Sequence, residues 1–369
     1  MAPAAPDDAP RGPDTPPINR RAVMLGMAAV AGVAAIDVGG FAYAGGWLRP
    51  DTLIPAQFAD RFEQIAGHHD GFRRNHAKGL AATGTFASNG AAADICHAAV
   101  FAKGTLPVDA RFSLSGGAPD QADKPATVRG LAVQYQLPNG EQWRSPMINT
   151  PVFVDSTPQG FYERILAAKT QPQTGKPDPA AMSAFLARHP ETVAAQRIIA
   201  QQPPTSGFAD STFWGLNAFR MTNSAGVTAP VRWMLVPQQQ PGQPVGDAAK
   251  SDPNYLFDAL IKAMERGPQA WTLKIVVGAP EDPTNDATKP WPADRRTIDA
   301  GTLTIEAVHT EAPGNARDIN FDPLVLPRGI APSDDPLLAA RSAVYARSFA
   351  RRAAEPKQPS AVNVEAAAR

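Results

Sequence analysis

The stretch "GFRRNHAKGLAATGTF" (residues 71–86) sets two arginines, a histidine and a lysine within six positions and then runs through Gly, Ala and Thr to Phe86. It reads as a charged loop entering a strand. A strand of Gly and Ala gives up side-chain packing, and it holds only when something else fills the space beside its backbone. A flat cofactor would fill it, with His76 over one face and an arginine on its carboxylates. Taken alone, His76 reads as an ordinary hydrogen-bonded strand histidine.

Outward from this stretch the chain is rich in extended segments. Strand patterns fall at 79–88, 98–100, 109–115, 129–137 and 150–154, and return in "FWGLNAFRMTN", "VRWMLVPQ", "AWTLKIVVG" and "GTLTIEAV". "LPNG" between "LAVQYQ" and "EQW" is a hairpin signal. Helical spacing marks "TLIPAQFADRFEQIAG", "PQGFYERILAAK", the run "PDPAAMSAFLARHPETVAAQRIIAQQ" and residues 337–353. The expected class is therefore α+β, with about eight strands able to close into an antiparallel barrel and helices added around it.

Composition narrows the function. The 369 residues carry 35 Lys plus Arg against 35 Asp plus Glu, so no global field favours nucleic acid or an anionic surface. The single cysteine, Cys96, excludes an intrachain disulfide framework and a Cys-rich metal or iron–sulfur site. No spacing suits a phosphate loop or a Ser-His-Asp triad. His68, His69 and Asp70 read as an exposed loop rather than a metal site, and His97 beside Cys96 has no further ligand in reach. Trp143, Trp214, Trp233, Trp271 and Trp291 read as core or interface aromatics, with a relay of electrons to a surface donor as the alternative use of one of them.

Residues 1–19 hold several prolines and no apolar period, as a disordered leader does. Residues 20–48 place Arg20 and Arg21 before an Ala/Gly/Val-rich run. That pattern suits a twin-arginine-like export signal, with "AYA" at 42–44 as a cleavage site, or an inner-membrane anchor over 22–47. Either would leave residues 51–355 in the periplasm. Residues 356–369 read as a disordered tail.

The C-terminal helix carries the complement to His76. In "DPLLAARSAVYARSFARR", Arg341 and Tyr345 share a helix face, with Arg352 further along. A guanidinium beside a phenol favours the anionic form, which can ligate ferric iron, although Arg-x-x-x-Tyr is common as a plain packing pair.

Taken in order, "FRRNHAKGLAATGTF", "RFSLSGG", "VRGLAVQYQLPNGEQWRSPMINTPVF", "NDATKPWP" and "FDPLVLPRGIAPSDDPLLAARSAVYARS" resemble the haem catalases, and the chain resembles their shortened branch, the catalase-related peroxidases. The resemblance implies a catalase-like eight-stranded barrel with haem b between barrel and C-terminal helix. It implies that His76 moves the proton of a bound peroxide, that Asn149 hydrogen-bonds that peroxide, and that Ser113 fixes the imidazole tautomer. It implies Tyr345 as the axial iron ligand, Arg341 as its partner, and Arg73, Arg111 and Arg352 on the haem propionates.

Departures from the family pattern accompany the match. Thr127 stands where a channel carboxylate is usual, Asn75 and Arg74 replace apolar residues beside His76, and Asn217 replaces a histidine on the proximal side. The activity implied is reduction of organic hydroperoxides, and of hydrogen peroxide, by a small reducing donor. True catalase activity is the alternative, followed by hydroperoxide isomerisation and a haem carrier without turnover. A homodimer is compatible with the pattern.

Overall fold

A computed structural model describes residues 53–169, 171, 174, 176–242 and 251–367. The readings made for 1–19 and 20–48, including the apolar run 22–47, lie outside these residues. Among the described residues no helix is long and apolar enough to cross a membrane.

Among the described residues ten strands form one antiparallel sheet: β1 (Gly79–Ser88), β2 (Gly104–Leu114), β3 (Arg129–Gln136), β4 (Gln142–Ile148), β5 (Phe213–Trp214), β6 (Phe219–Thr222), β7 (Thr228–Pro237), β8 (Gln269–Val277), β9 (Thr297–His309) and β10 (Ile330–Pro332). Each of β1 to β4 pairs with the next, β5 bridges β4 to β7, and β8 and β9 return to β1, so eight strands close on themselves. Strands β6 and β10 extend from the side of β7. Closure removes the free edges that an open sheet must protect.

Alternation along the strands builds the interior. On β8, Trp271, Leu273 and Ile275 are buried between half-exposed neighbours. Tyr135 stacks on Trp143 at 4.6 Å between ring centroids, and Trp143 meets Trp233 edge-on at 5.0 Å. The Nε1–H groups of Trp233 and Trp271 donate to Ser145 Oγ and to the Ser211 carbonyl. These three tryptophans are core residues, while Trp214 and Trp291 are half-buried.

Glycine matters where β1 and β9 come together. The ladder shifts register between Thr83 and Gly84, and a Cβ on Gly84 would run into the Thr304 carbonyl oxygen.

Among the described residues seven helices lie around the barrel: α1 (Pro55–Ala66), α2 (Pro158–Ala167), α3 (Pro179–Arg188), α4 (Pro190–Ala200), α5 (Tyr255–Arg266), α6 (Pro336–Ala354) and the short α7 (Val364–Ala367). Proline at the first turn and a capping side chain start three of them, α2, α3 and α6. Thr157 accepts from the Gly160 N–H at 3.0 Å, and Asp335 accepts from the Leu337 N–H at 2.9 Å.

Three sequence expectations change. Residues 98–100 enter a 3-10 turn (Ala99–Phe101) with consecutive buried residues instead of an alternating strand. Residues 150–154 are irregular, because Pro151 has no N–H to donate and the Thr150 hydroxyl bonds the Val152 carbonyl at 3.1 Å. The tail is ordered as far as it is described: Val362 is 1 % exposed in the main apolar cluster, and α7 follows it.

Replacing Gly84 by Ala is expected to cost about 1–3 kcal/mol through overpacking against β9, read as a lower denaturant midpoint with the m-value unchanged.

Candidate functional site

A cavity of about 540 Å³ opens between the barrel wall and α6. Its lining includes His76, Arg73, Ser113, Gly130 and Ile148 from the barrel side and Arg341, Tyr345 and Arg352 from α6. The structure thus brings together residues from both ends of the sequence.

His76 occupies the left-handed region with φ of 57°, which a non-glycine residue holds only under external constraint, at a cost of ~1–3 kcal/mol. The constraints are visible. The His76 N–H and the Gly116 N–H both donate to Asn75 Oδ1, at 3.0 and 2.9 Å. The His76 carbonyl accepts from Arg111 Nη1 at 2.9 Å. The imidazole Nδ1 lies 3.1 Å from Ser113 Oγ. Gly130 provides the room, since a Cβ there would stand 2.9 Å from Ser113 Oγ and 3.4 Å from the imidazole. Burial, with Arg111, Arg73 and Arg341 adding repulsion, pushes the imidazole pKa down to about 3. His76 is consequently neutral at physiological pH.

Asn75 therefore fixes the backbone of the histidine turn, whatever else its amide meets. Arg74, expected beside the cofactor face, directs its guanidinium to Glu63 and Glu355, tying α1 to the end of α6.

Below the turn, four guanidiniums gather around one carboxylate. Arg111 grips Glu311 through Nε and Nη2 at 2.6 and 3.0 Å. Arg73 approaches Glu311 at 3.5 Å and donates to the Ala316 and Ile319 carbonyls. Arg352 donates to the Arg317 and Ile319 carbonyls at 2.6 and 3.1 Å, while Arg317 Nη2 is buried without a hydrogen-bond partner. Burial would raise Glu311, but Arg111, Arg73 and Arg317 outweigh it and hold its carboxyl below the ordinary range. Burial, then Arg111 and Arg352, pushes Arg73 well below its ordinary value. Guanidiniums in such excess at a buried site are suited to bind a further anionic group. The fit to a dicarboxylate cofactor is direct, with one change in roles: Arg111 is largely committed to Glu311 and to the histidine turn.

The small residues of β1 leave room for these groups. A Cβ on Gly79 would collide with the Arg111 guanidinium. Ala81 packs with Ala316 and Phe321, against which Tyr345 lies. On the same helix, Arg341 donates to Asn217 Oδ1 and approaches the Pro146 carbonyl at 3.4 Å. Asn217 Nδ2 donates to Asp335 Oδ2 at 2.7 Å. The helix cap is thus joined to Arg341 through a buried amide.

Asn149 lies just past β4. Its Oδ1 accepts the Arg129 N–H at 2.8 Å and its own N–H donates to the Arg129 carbonyl at 2.9 Å, which closes the end of the β3–β4 pair. Its half-buried side chain keeps the Nδ2 donors uncommitted among the described residues, and its neighbours Ile148 and Thr150 line the cavity. Thr127 does not line the cavity, whereas Val128 does.

Glu311, Gly130 and Asp335 were not singled out from the sequence, since each acts through a long-range neighbour. Away from the cavity, His68 Nε2 bonds Asp70 at 2.8 Å beside Glu355, whose oxygens already serve Arg74 and the Gly71 N–H. Burial raises the Cys96 thiol to about 11, which leaves it inert.

With the geometry in place, comparison with known proteins adds the relatives. The family model described as Catalase matches residues 55–367. A "Catalase-related peroxidase" of Synechococcus elongatus is 37% identical over 335 residues, covering 90% of this chain and 97% of its own. One of Mycolicibacterium paratuberculosis is 32% identical, covering 81% and 95%. Among solved structures, a fungal catalase aligns with a TM-score of 0.68 at 21% identity, over 80% of this chain and 61% of its own. A bacterial catalase aligns at 0.67 and 23%, over 82% and 61%. The chain spans about three fifths of these larger catalases.

Replacing Glu311 by Gln leaves the guanidinium cluster without its carboxylate. A loss of about 3–5 kcal/mol is expected from breaking a buried pair, measured by chemical unfolding of the haem-free protein.

Proposed function

Because the chain belongs to the catalase family, and is an oxidoreductase acting on peroxide, we propose that it is a haem b peroxidase reducing organic hydroperoxides with an external donor. The observation that carries this reading is the meeting of neutral His76, backed by Ser113, with Tyr345 and an arginine excess around one cavity.

Family members bind haem, and the residues here fit it. Tyr345 would ligate the iron, and Arg73 and Arg352 would meet the propionates. When bound, the haem would supply a redox-active iron able to exchange electrons with peroxide.

The proton work belongs to the chain. With Nδ1–H donated to Ser113 Oγ, the imidazole presents Nε2 as an acceptor. His76 takes the proton from the peroxide oxygen that carries it and returns it to the departing oxygen, so one residue serves as base and acid. For a hydroperoxide ROOH and a phenolic donor AH, the balance is ROOH + 2 AH → ROH + H2O + 2 A•. Each donor gives up one electron and one proton.

Catalase-type dismutation, 2 H2O2 → 2 H2O + O2, is the second reading. Export to the periplasm, with a cleaved signal or a retained anchor, rests on the sequence of residues 20–48.

His76→Ala is expected to retain haem, seen as an unchanged Soret band in stoichiometric amount, while peroxide-driven phenol oxidation falls at least ~100-fold. Retained oxidation would sink the reading, and fast dioxygen release from hydrogen peroxide alone by the parent protein would favour dismutation.

The depressed imidazole also sets a pH dependence. A group with pKa near 3 stays unprotonated above that value, so the peroxide step should show no acid limb near the ordinary histidine pKa of about 6.5. Single-turnover rates between about pH 5 and 8 check this.

A further inference from the structure

Among the described tryptophans, Trp143, Trp233 and Trp271 are sealed inside the barrel. Trp291 is half-buried, but Arg232 lies over its ring at 4.7 Å, and a cation held on the ring face opposes the loss of an electron from it. Trp214 is half-buried in a different setting.

The strand register places it. One row of cross-strand partners runs through Ser113, Gly130, Ile148, Trp214, Met234 and Lys274. Partners in a ladder share a face, and this face of the barrel is the one turned to the cavity. Ser113 bonds the His76 imidazole, the imidazole packs on Gly130, and Ile148 lines the wall. Trp214 stands one strand beyond Ile148 and two beyond Gly130, a backbone separation of about 10 Å at ~4.8 Å per strand. Past it, Met234 and Lys274 are half-buried, and Lys274 pairs with exposed Asp299 at 2.9 Å where the row meets solvent.

The chain just after Trp214 reaches the tyrosine side of the cavity. Leu216 lines the cavity with φ of 66°, a left-handed conformation that a bulky residue takes only under constraint. The constraint is a tight turn: the Gly215 N–H donates to the Trp233 carbonyl and the Asn217 N–H to the Gly215 carbonyl, both at 2.9 Å. Asn217 in turn accepts from Arg341. Trp214 is thus tied to the cavity twice, through the β4 ladder and through this strained turn.

Resting on the peroxidase reading, we propose that Trp214 is an electron-relay residue that serves phenolic donors carried on molecules too large to enter the cavity. Each passage moves one electron. Trp214 gives it up to the oxidised haem site, becoming a cation radical, and takes one from the phenol AH at the barrel surface, whose proton leaves to water as A• forms. Two passages supply two electrons, and the two protons that complete ROH and H2O enter from solvent, so the sum stays ROOH + 2 AH → ROH + H2O + 2 A•.

The test compares the haem-loaded protein with Trp214→Phe and with Trp214→Tyr, which keeps an oxidisable ring; Trp214→Leu replaces the phenylalanine form should that fail to fold. Free phenol and phenol coupled by a short link to dextran offer the same chemistry at two sizes. Trp214→Phe should lower kcat/KM for the dextran-coupled phenol about 10-fold or more, with free phenol near the parent and Trp214→Tyr recovering most of the loss. A pulse of peroxide without donor should give the parent a tryptophan radical in electron paramagnetic resonance that Trp214→Phe lacks, and an oxidised Trp214 in peptide mass spectrometry. Unchanged rates with dextran-coupled phenol in Trp214→Phe, or a parent that oxidises only free phenol, overturn the relay. A parent that oxidises neither phenol overturns the peroxidase reading instead, and the peroxide pulse then decides the relay by itself: an oxidised Trp214 supports it, and an unmodified Trp214 overturns it.

Discussion

The gathering of Arg73, Arg111, Arg317 and Arg352 around Glu311 is the constraint on which the site depends. Like charges held this close in a buried place repel, and a single carboxylate offsets only part of that repulsion. The fold answers with backbone. Carbonyls of Ala316, Arg317 and Ile319 accept from the guanidiniums, and those of His76 and Ala77 accept from Arg111. Arg111 therefore performs two tasks, neutralising Glu311 and holding the strained histidine turn. The electrostatics of the arginine cluster and the placement of His76 are linked through one side chain.

The opposite wall follows a different logic. There the lining includes Ile148, Val128 and a run of phenylalanines, with Asn75, Ser115 and Thr150 among them. A site with charge at one end and hydrocarbon at the other orients an amphipathic guest without any moving part. Neutral His76 stands at the junction, where its proton traffic is least disturbed by bulk water.

Much of this was legible in the sequence because it is local. Strand β1 fell where the small-residue run put it, the β3–β4 hairpin followed from its turn residues, and α6 from its apolar spacing and proline start. His76, Ser113, Arg73, Arg341, Tyr345 and Arg352 all reached the cavity. The misreadings share a cause. Glu311 was passed over because its partners are distant in sequence, the Arg111 contact spanning 200 positions. Val362 gave no signal in a polar tail, since its burial depends on a surface formed by other elements.

One consequence concerns the order in which the chain is made. The Gly71 N–H donates to Glu355 across 284 positions, and Arg74 meets Ser348 across 274. The histidine turn is synthesised early, the tyrosine helix late, and the ends of this long loop must find each other against its closure entropy. Until α6 emerges from the ribosome the arginine cluster lacks Arg352 and the cavity lacks one wall. On the haem reading proposed above, a nascent chain stalled before α6 would carry His76 and its supports but lack Tyr345 and Arg352.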